Sequence, residues 1–477
     1  MRSIPTLIAF GALLVVACLF ISCDPEEKKI LATEDIGFEV EDLVGVQDMP
    51  LENLSVVQNP SNTLSFFVEW GTAQPATSEL TLLCGTEINA RYDDQSLRTE
   101  HSILVMGLMD GLDCNLRVDS WTENKGALGR QDETLSPGPL MGSLPTLDAK
   151  VHLEDSMEPG WTLLNLTNGF DGVPLTVAIV DPQGRYRWYH QLSVPNSGAD
   201  TEIFMMDSGV FVCGTRVSIP FTEIAWSGEV VWENSQDAHH DCRFPGADTE
   251  RLRYLVDVPA AQCSGGFGGG HMVEMNRTTG EELYRFPFCK LWTPPVYESD
   301  WSHLNAIEPF PNEDAVLLSS RSQHSLFKAN LDTNEVVWAL GLNGEFAMDT
   351  SAYFYRQHAP EIQSNGNILL FDNGDDEHRP SSRLLELSYD ETAKTAQVVW
   401  EWAPTPALYN PIWGDADRLA NGNTLGTFGQ RSTSISTELF EVTKAKDVVW
   451  QLELPPGWGT YRADRVQPPY FVDLTAP

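Results

Sequence analysis

Three histidines and one arginine are the residues in this chain best suited to group-transfer chemistry. His240, His303 and His358 recur at nearly equal intervals, and the last two each precede a turn and a strand-type run. A neutral imidazole offers a nucleophilic nitrogen and can also carry a proton. Arg321, at the far end of the strand after His303, offers a planar charged fork for an oxyanion. In the next copy of the pattern Gly414 takes the histidine position, so the repeat itself does not require histidine there.

A repeated β-type run must position these side chains. It occurs six times, each time after a charged or turn-like lead-in and each time ending in an aromatic residue: Gly184–Trp188, Gly228–Trp232, Gly280–Tyr284, Asn334–Trp338, Thr395–Trp400 and Lys446–Trp450. A period of about 50 residues is typical of a four-stranded propeller blade. Six copies therefore predict an all-β chain with a six-bladed β-propeller, whose loops meet around one channel.

The chain before the propeller divides into three shorter parts. Residues 51–139 contain short β-rich runs and predict a small antiparallel β-sandwich, similar to a fibronectin type III module. Ser136–Pro139 marks a joint, after which the propeller is predicted to occupy residues 146–477. Residues 23–50 are acidic and without periodicity, which is typical of a tether. Residues 1–22 are predicted to be a signal peptide.

The signal segment ends in a sequence that resembles the lipobox of a bacterial lipoprotein, Phe20-Ile-Ser-Cys23. Val15-Val-Ala-Cys18 also fits, but cleavage before Cys23 leaves a polar start and is preferred; an uncleaved signal anchor stays open. We expect lipidation of Cys23 and an exported protein anchored to a bacterial membrane, facing the periplasm or the cell exterior. Six further cysteines allow three disulfides, and Cys84 with Cys114 is the pair predicted first.

Charge and motifs exclude several function classes. The formal net charge is −38 and no basic cluster is present, which argues against nucleic acid as a partner. The cysteines lack CxxC spacing, and the glycine run Cys263–Gly270 lacks the following Lys-Ser/Thr of a phosphate-binding loop. We therefore expect no cofactor. An anionic substrate would need a local cluster of positive donors in so acidic a protein.

Linked motifs make the resemblance to a family specific. They are Asp300–Asn305 with Ser319–Arg321, Gln357–Pro360 running on to Asn365–Gly374, and Gly414–Asn423. Together they resemble the bacterial arylsulfate sulfotransferases. The resemblance implies a six-bladed propeller behind a small β-sandwich, and sulfuryl transfer from a phenolic sulfate ester to a phenol without the nucleotide donor PAPS. It places the nucleophile at His358, the other active-site histidines at His240 and His303, the arginine at Arg321 and a substrate-binding asparagine at Asn305.

One departure and two alternatives remain. After His240 the family's usual turn is replaced by Cys242–Asp248. A non-catalytic, membrane-anchored propeller scaffold or binding protein is the first alternative, because propellers host many functions. A metal enzyme with three histidine ligands is the second, since three histidines around an open position can hold zinc. The expected partners are a small aromatic sulfate donor and a phenolic acceptor, with a homodimer left open.

Overall fold

Strands dominate the computed structural model, which describes residues 46–168, 173–195, 200–215, 219–296, 300–429, 432 and 434–475. The helical elements are the single turn Phe288–Leu291 and the 3-10 turns Glu154–Ser156, Ala260–Gln262 and Thr350–Ala352. None of the helices in these ranges is long and apolar enough to cross a membrane. The signal peptide and the lipidation of Cys23 fall outside the described residues, so both stay predictions.

The N-terminal domain is one connected sheet of seven strands. They are Gln47–Asp48, Glu52–Gln58, Phe66–Cys84, Ile88–Val105, Cys114–Trp121, Ala127–Leu135 and Phe471–Asp473. The long strand Phe66–Cys84 changes register near Ala76, pairing with Glu52–Gln58 before that point and with Cys114–Trp121 after it. Residues of both halves, such as Trp70 and Leu82, share one core. The predicted sandwich stays a prediction, because hydrogen bonds join all seven strands.

Six further sheets form the blades of a propeller, which confirms the predicted fold class. Blades 1 and 2 contain, respectively, Trp161–Asn168, Pro174–Val180 and Tyr186–Pro195 with Trp458–Gly459 and Ala463–Val466, and Ile203–Met206, Gly209–Val212, Phe221–Ala225 and Val230–Asn234. Blades 3 and 4 contain, respectively, Ala238–Arg243, Arg251–Val258, Gly269–Asn276 and Glu282–Phe286, and Leu304–Pro309, Ala315–Ser320, Ser325–Asn330 and Glu335–Gly341. Blades 5 and 6 contain, respectively, His358–Ile362, Ile368–Asp372, Arg383–Asp390 and Thr395–Trp402 with Ala347–Met348, and Asp415–Arg418, Thr424–Phe428, Thr437–Val442 and Val448–Leu454 with Asp148–Val151.

The six aromatic runs of the sequence all lie at the fourth strand of a blade. Trp188, Trp338 and Trp450, from blades 1, 4 and 6, are buried there. β-Branched and aromatic residues suit these positions because the strands are half buried against a neighbouring blade. The repeat therefore marks the last strand of each blade, and its six copies correspond to six blades.

The ring closes at two places that are far apart in sequence. Asp148–Val151 adds an outer strand to blade 6 by pairing with Val448–Leu454. Ala463–Val466 pairs with Trp161–Asn168 and becomes the inner strand of blade 1. The chain then returns to the N-terminal sheet through Phe471–Asp473. Both ends of the propeller segment thus hold the first and last blades together.

Three disulfides are formed among the described residues. Cys84–Cys114 is the pair predicted from the sequence, and it lies within the N-terminal core. Cys213–Cys242 links the loop after the second strand of blade 2 to the inner strand of blade 3. Cys263–Cys289 ties the glycine-rich loop of blade 3 to the helical turn Phe288–Leu291. Such cross-links restrict the unfolded chain and stabilise the folded one.

Candidate active site

The three predicted histidines lie at one end of the propeller channel. His358 begins the inner strand of blade 5, His303 directly precedes that of blade 4, and His240 lies within that of blade 3. The second strand of a blade runs antiparallel to the first, so its last residue returns to the face where the first begins. Arg321 follows the second strand of blade 4, and its backbone N–H donates to the His303 carbonyl oxygen at 3.0 Å. Blade geometry therefore brings all four residues to the same mouth.

A pocket of about 290 Å³ is lined by these four residues and three others: Asp200, His240, His303, Arg321, His358, Ile412 and Trp413. The rings of His240 and His303 have their centroids 4.9 Å apart. Three lining residues have left-handed backbone, with φ of 61° at His240, 26° at His303 and 64° at Trp413. Such backbone is strained for non-glycine residues and is concentrated at functional sites.

The tautomer of His358 is set by an asparagine that the sequence analysis did not assign. Asn373 Nδ2 donates to the carbonyl oxygens of Asn410 and Trp413, at 2.7 and 2.6 Å. The two donations direct Asn373 Oδ1 toward His358 Nδ1, 2.8 Å away, and the Arg356 carbonyl lies 3.1 Å from the same nitrogen. Both neighbours accept, so His358 Nδ1 carries the proton. Nε2 is then the nitrogen with a free lone pair.

His358 is neutral at physiological pH in this environment. Burial lowers its pKa well below the ordinary value of 6.5, and the nearby positive charge of Arg321 lowers it further. The hydrogen bond to Asn373 acts in the opposite direction. The lowering effects dominate, so the ring keeps the unprotonated Nε2 that nucleophilic attack needs.

His303 is paired with a carboxylate. Its Nδ1 lies 2.5 Å from Asp300 Oδ2, and both residues precede the inner strand of blade 4. A carboxylate at Nδ1 fixes the tautomer of an imidazole and stabilises its protonated form. His303 is therefore better arranged than His358 to accept and return a proton through Nε2.

His240 has a histidine neighbour instead of a carboxylate. Its Nδ1 lies 2.9 Å from His239 Nδ1, and Asp200 Oδ2 is 3.8 Å from its Nε2. Burial, followed by the charges of His239 and His303, lowers its pKa well below 6.5. A neutral His240 can donate or accept one hydrogen bond in the pocket. The replaced turn after His240 therefore does not move its side chain out of the site.

Arg321 is the cation in the described lining of the pocket. Its Nη2 donates to the Pro411 carbonyl at 2.9 Å, which fixes the guanidinium plane. Burial and the neighbouring charge of Arg356 lower its pKa below the ordinary value, but a guanidinium stays protonated at physiological pH. Within the described part of the chain no carboxylate forms an ion pair with Arg321. Its remaining donors are thus available to an oxyanion.

Asn305 lies beneath the pocket and not in its lining. It is fully buried, and its Nδ2 donates to the Gln357 carbonyl at 2.7 Å. Gln357 in turn is fixed by bonds to Ser319 and to the Ser320 carbonyl, at 2.9 and 3.0 Å. This geometry makes Asn305 a support for the backbone before His358, whereas direct binding of substrate by its amide stays a prediction.

Buried charges fill the channel below this layer. Arg462 contacts Glu202 and lies 3.5 Å from Asp241 Oδ2, and its guanidinium is 5.2 Å from the centre of the Tyr461 ring. The Tyr461 ring faces the site, with its centroid 6.2 Å from that of His358. Arg462 belongs to a segment without any catalytic motif, so the sequence alone did not predict this layer.

One group of metal-ligand type is present among the described residues, Cys263, His271 and Cys289. Its two sulfurs are joined as a disulfide, which removes the thiolates that a metal would bind. The three pocket histidines do not form a second such group within the described ranges.

Asn373 could have been found from the repeat. It directly follows the second strand of blade 5, as Arg321 follows that of blade 4. The same register therefore places both side chains at the channel mouth. The sequence signal of Asn373 is its position in the repeat, since an asparagine side chain is neither charged nor nucleophilic.

Comparisons with known proteins agree with this geometry. The model of the arylsulfotransferase (ASST) family matches residues 152–462, which include all four predicted pocket residues. Arylsulfate sulfotransferase AssT of Escherichia coli O6:H1 is 28% identical over 280 residues, covering 50% of this chain and 43% of the relative. AssT of Lelliottia amnigena is 27% identical over 223 residues, covering 36% of each chain. The chain thus matches less than half the length of these relatives.

Similarity to solved structures is lower. An auxiliary nutrient binding protein from Bacteroides ovatus has a TM-score of 0.37 and 12% identity, covering 86% of this chain and 90% of that one. At this level the similarity bears on neither fold nor function. The family match covers well over half of the chain, from blade 1 to the closing strands. The chain belongs to the arylsulfotransferase family.

Proposed function

We propose that this protein transfers a sulfuryl group from a phenolic sulfate ester to a phenolic acceptor, through a sulfohistidine on His358. The observation that carries the proposal is the Asn373–His358 hydrogen bond, 2.8 Å long, in a pocket that also contains Arg321. It leaves a neutral nucleophilic nitrogen beside a cation suited to sulfate oxygens. Family membership supports the same reaction class.

In the first step His358 Nε2 attacks sulfur, and the bond from sulfur to the aryl oxygen breaks. The electron pair of that bond leaves with the phenolate oxygen. The sulfated ring keeps its Nδ1 proton, and Asn373 Oδ1 accepts it in a charge-assisted bond. Arg321 binds the three peripheral oxygens, where charge is spread in a displacement of this type.

The second step reverses the first with a different phenol. His303 removes the acceptor proton, the phenol oxygen attacks sulfur, and the bond between sulfur and His358 Nε2 breaks. His303 then holds the proton that a basic leaving phenolate takes in the next cycle. The bond from its Nδ1 to Asp300 stabilises the protonated ring between these events.

We further propose that the mature protein is lipidated on Cys23 and acts on small aromatic substrates outside the cytoplasm. The segment before Cys23 and the three disulfides support an exported chain. Mass spectrometry of the mature N-terminus tests the lipid. An unmodified Cys23 in the membrane fraction would contradict it.

The direct test of the reaction uses purified protein with 4-nitrophenyl sulfate, with and without phenol. We expect one nitrophenolate per protein without phenol, and continuous release with it. The same sample should carry one sulfuryl group on the His358 peptide, and His358→Asn should carry none. Turnover by His358→Asn, or an adduct elsewhere, would refute the mechanism.

A further inference from the structure

A second and larger cavity adjoins the catalytic pocket. It has a volume of about 690 Å³ and shares His240 and His303 with the pocket of His358. Its other walls come from blade 3 and from Asp300 and Leu304 of blade 4. This volume is within the range of small-molecule sites. We call it the outer cavity to distinguish it from the inner pocket, which is lined by Arg321 and His358.

The outer cavity carries negative charge. Asp237, Asp257 and Asp300 are part of its lining, and no lysine or arginine is among the lining residues that the structure describes. Arg321, in contrast, lines the inner pocket. The described lining of the inner pocket therefore combines the cation of Arg321 with one carboxylate, that of Asp200, whereas the described lining of the outer cavity has three carboxylates and no cation.

The wall also offers an aromatic surface and a buried polar nitrogen. The Phe267 ring is 42% exposed, on a loop tied down by the disulfide Cys263–Cys289. His239 is about nine-tenths buried, and its Nε2 has no hydrogen-bond partner among the described residues, although Asp257 Oδ1 is 3.4 Å away. An aromatic ring and a polar group on fixed elements are the usual components of a ligand site.

We propose that the outer cavity selects acceptors that are phenols with a protonated amine on a short arm. The inference rests on the proposed sulfuryl transfer and names its acceptor class. The phenol oxygen points at His303 and sulfur, the ring packs against Phe267, and the ammonium group lies near Asp237 and Asp257. A phenol with a carboxylate at the same position meets like charges and is rejected.

The experiment compares three acceptors of similar shape with 4-nitrophenyl sulfate as the common donor. They are tyramine, which is cationic, 4-ethylphenol, which is neutral, and 3-(4-hydroxyphenyl)propionate, which is anionic. Exposed charge pairs change affinity by about two- to fivefold each. Two or three carboxylates thus predict kcat/KM about tenfold higher for tyramine than for 4-ethylphenol, and lower again for the anion. The preference should shrink as salt shortens the screening length from about 30 to about 3 Å.

Two variants distinguish the effect of the carboxylates in this cavity from the effect of the overall charge of −38. Asp237→Asn combined with Asp257→Asn should lower the tyramine to 4-ethylphenol ratio at least fivefold. Asp447→Asn removes an exposed carboxylate from the turn between the third and fourth strands of blade 6, at the opposite face. This control should leave the ratio unchanged. Asp300 is not varied, because it binds His303.

The outcomes distinguish the two proposals. Absence of transfer to every acceptor would refute the proposed function itself. Transfer to 4-ethylphenol without preference for tyramine would overturn only the acceptor class. If the double variant keeps the preference for tyramine, the inference is also overturned. The same holds if Asp447→Asn reduces the preference as much as the double variant does, because the preference would then come from the overall charge of the protein.

Discussion

Asn373 is the residue whose replacement tests the proposed mechanism most directly. Asn373→Ala removes the acceptor for His358 Nδ1–H and both amide donations, to the carbonyls of Asn410 and Trp413. The ring of His358 and its nucleophilic nitrogen remain. We therefore expect the adduct to form on the same nitrogen but more slowly.

The size of the effect follows from the charge that develops on the ring. The bond joins neutral partners in the free enzyme and becomes charge-assisted once Nε2 is sulfated, when it contributes about 1.5 to 3 kcal/mol. The neutral bond already contributes about 0.5 to 1.5 kcal/mol before the reaction, so its loss raises the barrier only by the increase, about 1 to 1.5 kcal/mol. At about 1.36 kcal/mol per factor of ten, adduct formation slows by about 5- to 13-fold. The Arg356 carbonyl, 3.1 Å from Nδ1, remains as a weaker acceptor and favours the lower end.

The assay is a rapid-quench measurement of nitrophenolate release in a single turnover without acceptor. Asn365→Ala is the matched control, because Asn365 caps the turn between the first two strands of blade 5 at the opposite face. Loss of two buried donors also lowers the stability of Asn373→Ala by about 1 to 3 kcal/mol for each carbonyl left unpaired, so thermal unfolding is measured alongside. A folded Asn373→Ala with an unchanged burst rate would refute the assigned tautomer.

Three further predictions concern charge, pH and packing. Arg321→Lys should slow adduct formation by about 10²- to 10³-fold, because a lysine cannot form the bidentate contact; an unchanged burst rate would exclude Arg321 as an oxyanion donor. The burst with 4-nitrophenyl sulfate should not decline from pH 8 to pH 6, because burial and Arg321 lower the pKa of His358 well below 6.5 and the ring stays neutral above that pKa; a half-loss near pH 6.5 would contradict this. Gly414→Ala should lower the unfolding midpoint, because a Cβ would lie 2.3 Å from the Phe371 ring at a φ of +118°, at a cost of about 1 to 3 kcal/mol; a wild-type midpoint would refute the packing argument.

Local signals in the sequence predicted the blades and four of the residues that line the candidate pocket. The aromatic runs marked the fourth strands, and the registered histidines with Arg321 marked the mouth of the channel. These features recur about every 50 residues, so the copies within one chain can be aligned with one another. Gly414 shows why the histidine series ends, since the Phe371 ring occupies the space of a side chain there.

The pairing of strands that are far apart in sequence could not be predicted from local patterns. Asp148–Val151 joins blade 6, and Ala463–Val466 joins blade 1, although nothing in either short segment specifies a partner. The return of Phe471–Asp473 to the N-terminal sheet is of the same kind. Such contacts are decided by which strand edge is left unpaired when the ring closes, and that is a property of the assembled fold.

His240 illustrates how tertiary contacts compensate for a lost local signal. Its following turn departs from the family pattern, yet a bulge between His239 and Cys242 and a φ of 61° direct its ring into the pocket. The disulfide Cys213–Cys242 holds that strand against blade 2. A change in the turn can therefore be tolerated because the strand is anchored from the neighbouring blade.

The proposed anionic substrate must bind to a protein whose formal net charge is −38. Most of that charge is on the surface, where salt screens it over about 8 to 10 Å. The pocket instead experiences Arg321 in its lining and Arg462 beneath it, and the charges of both lower the pKa of His358. In the proposed mechanism, the same two cations keep His358 neutral and attract the sulfuryl oxygens. Removing Arg321 would weaken both effects together, whereas removing Arg462 would also leave the buried carboxylates of Glu202 and Asp241 without their cation.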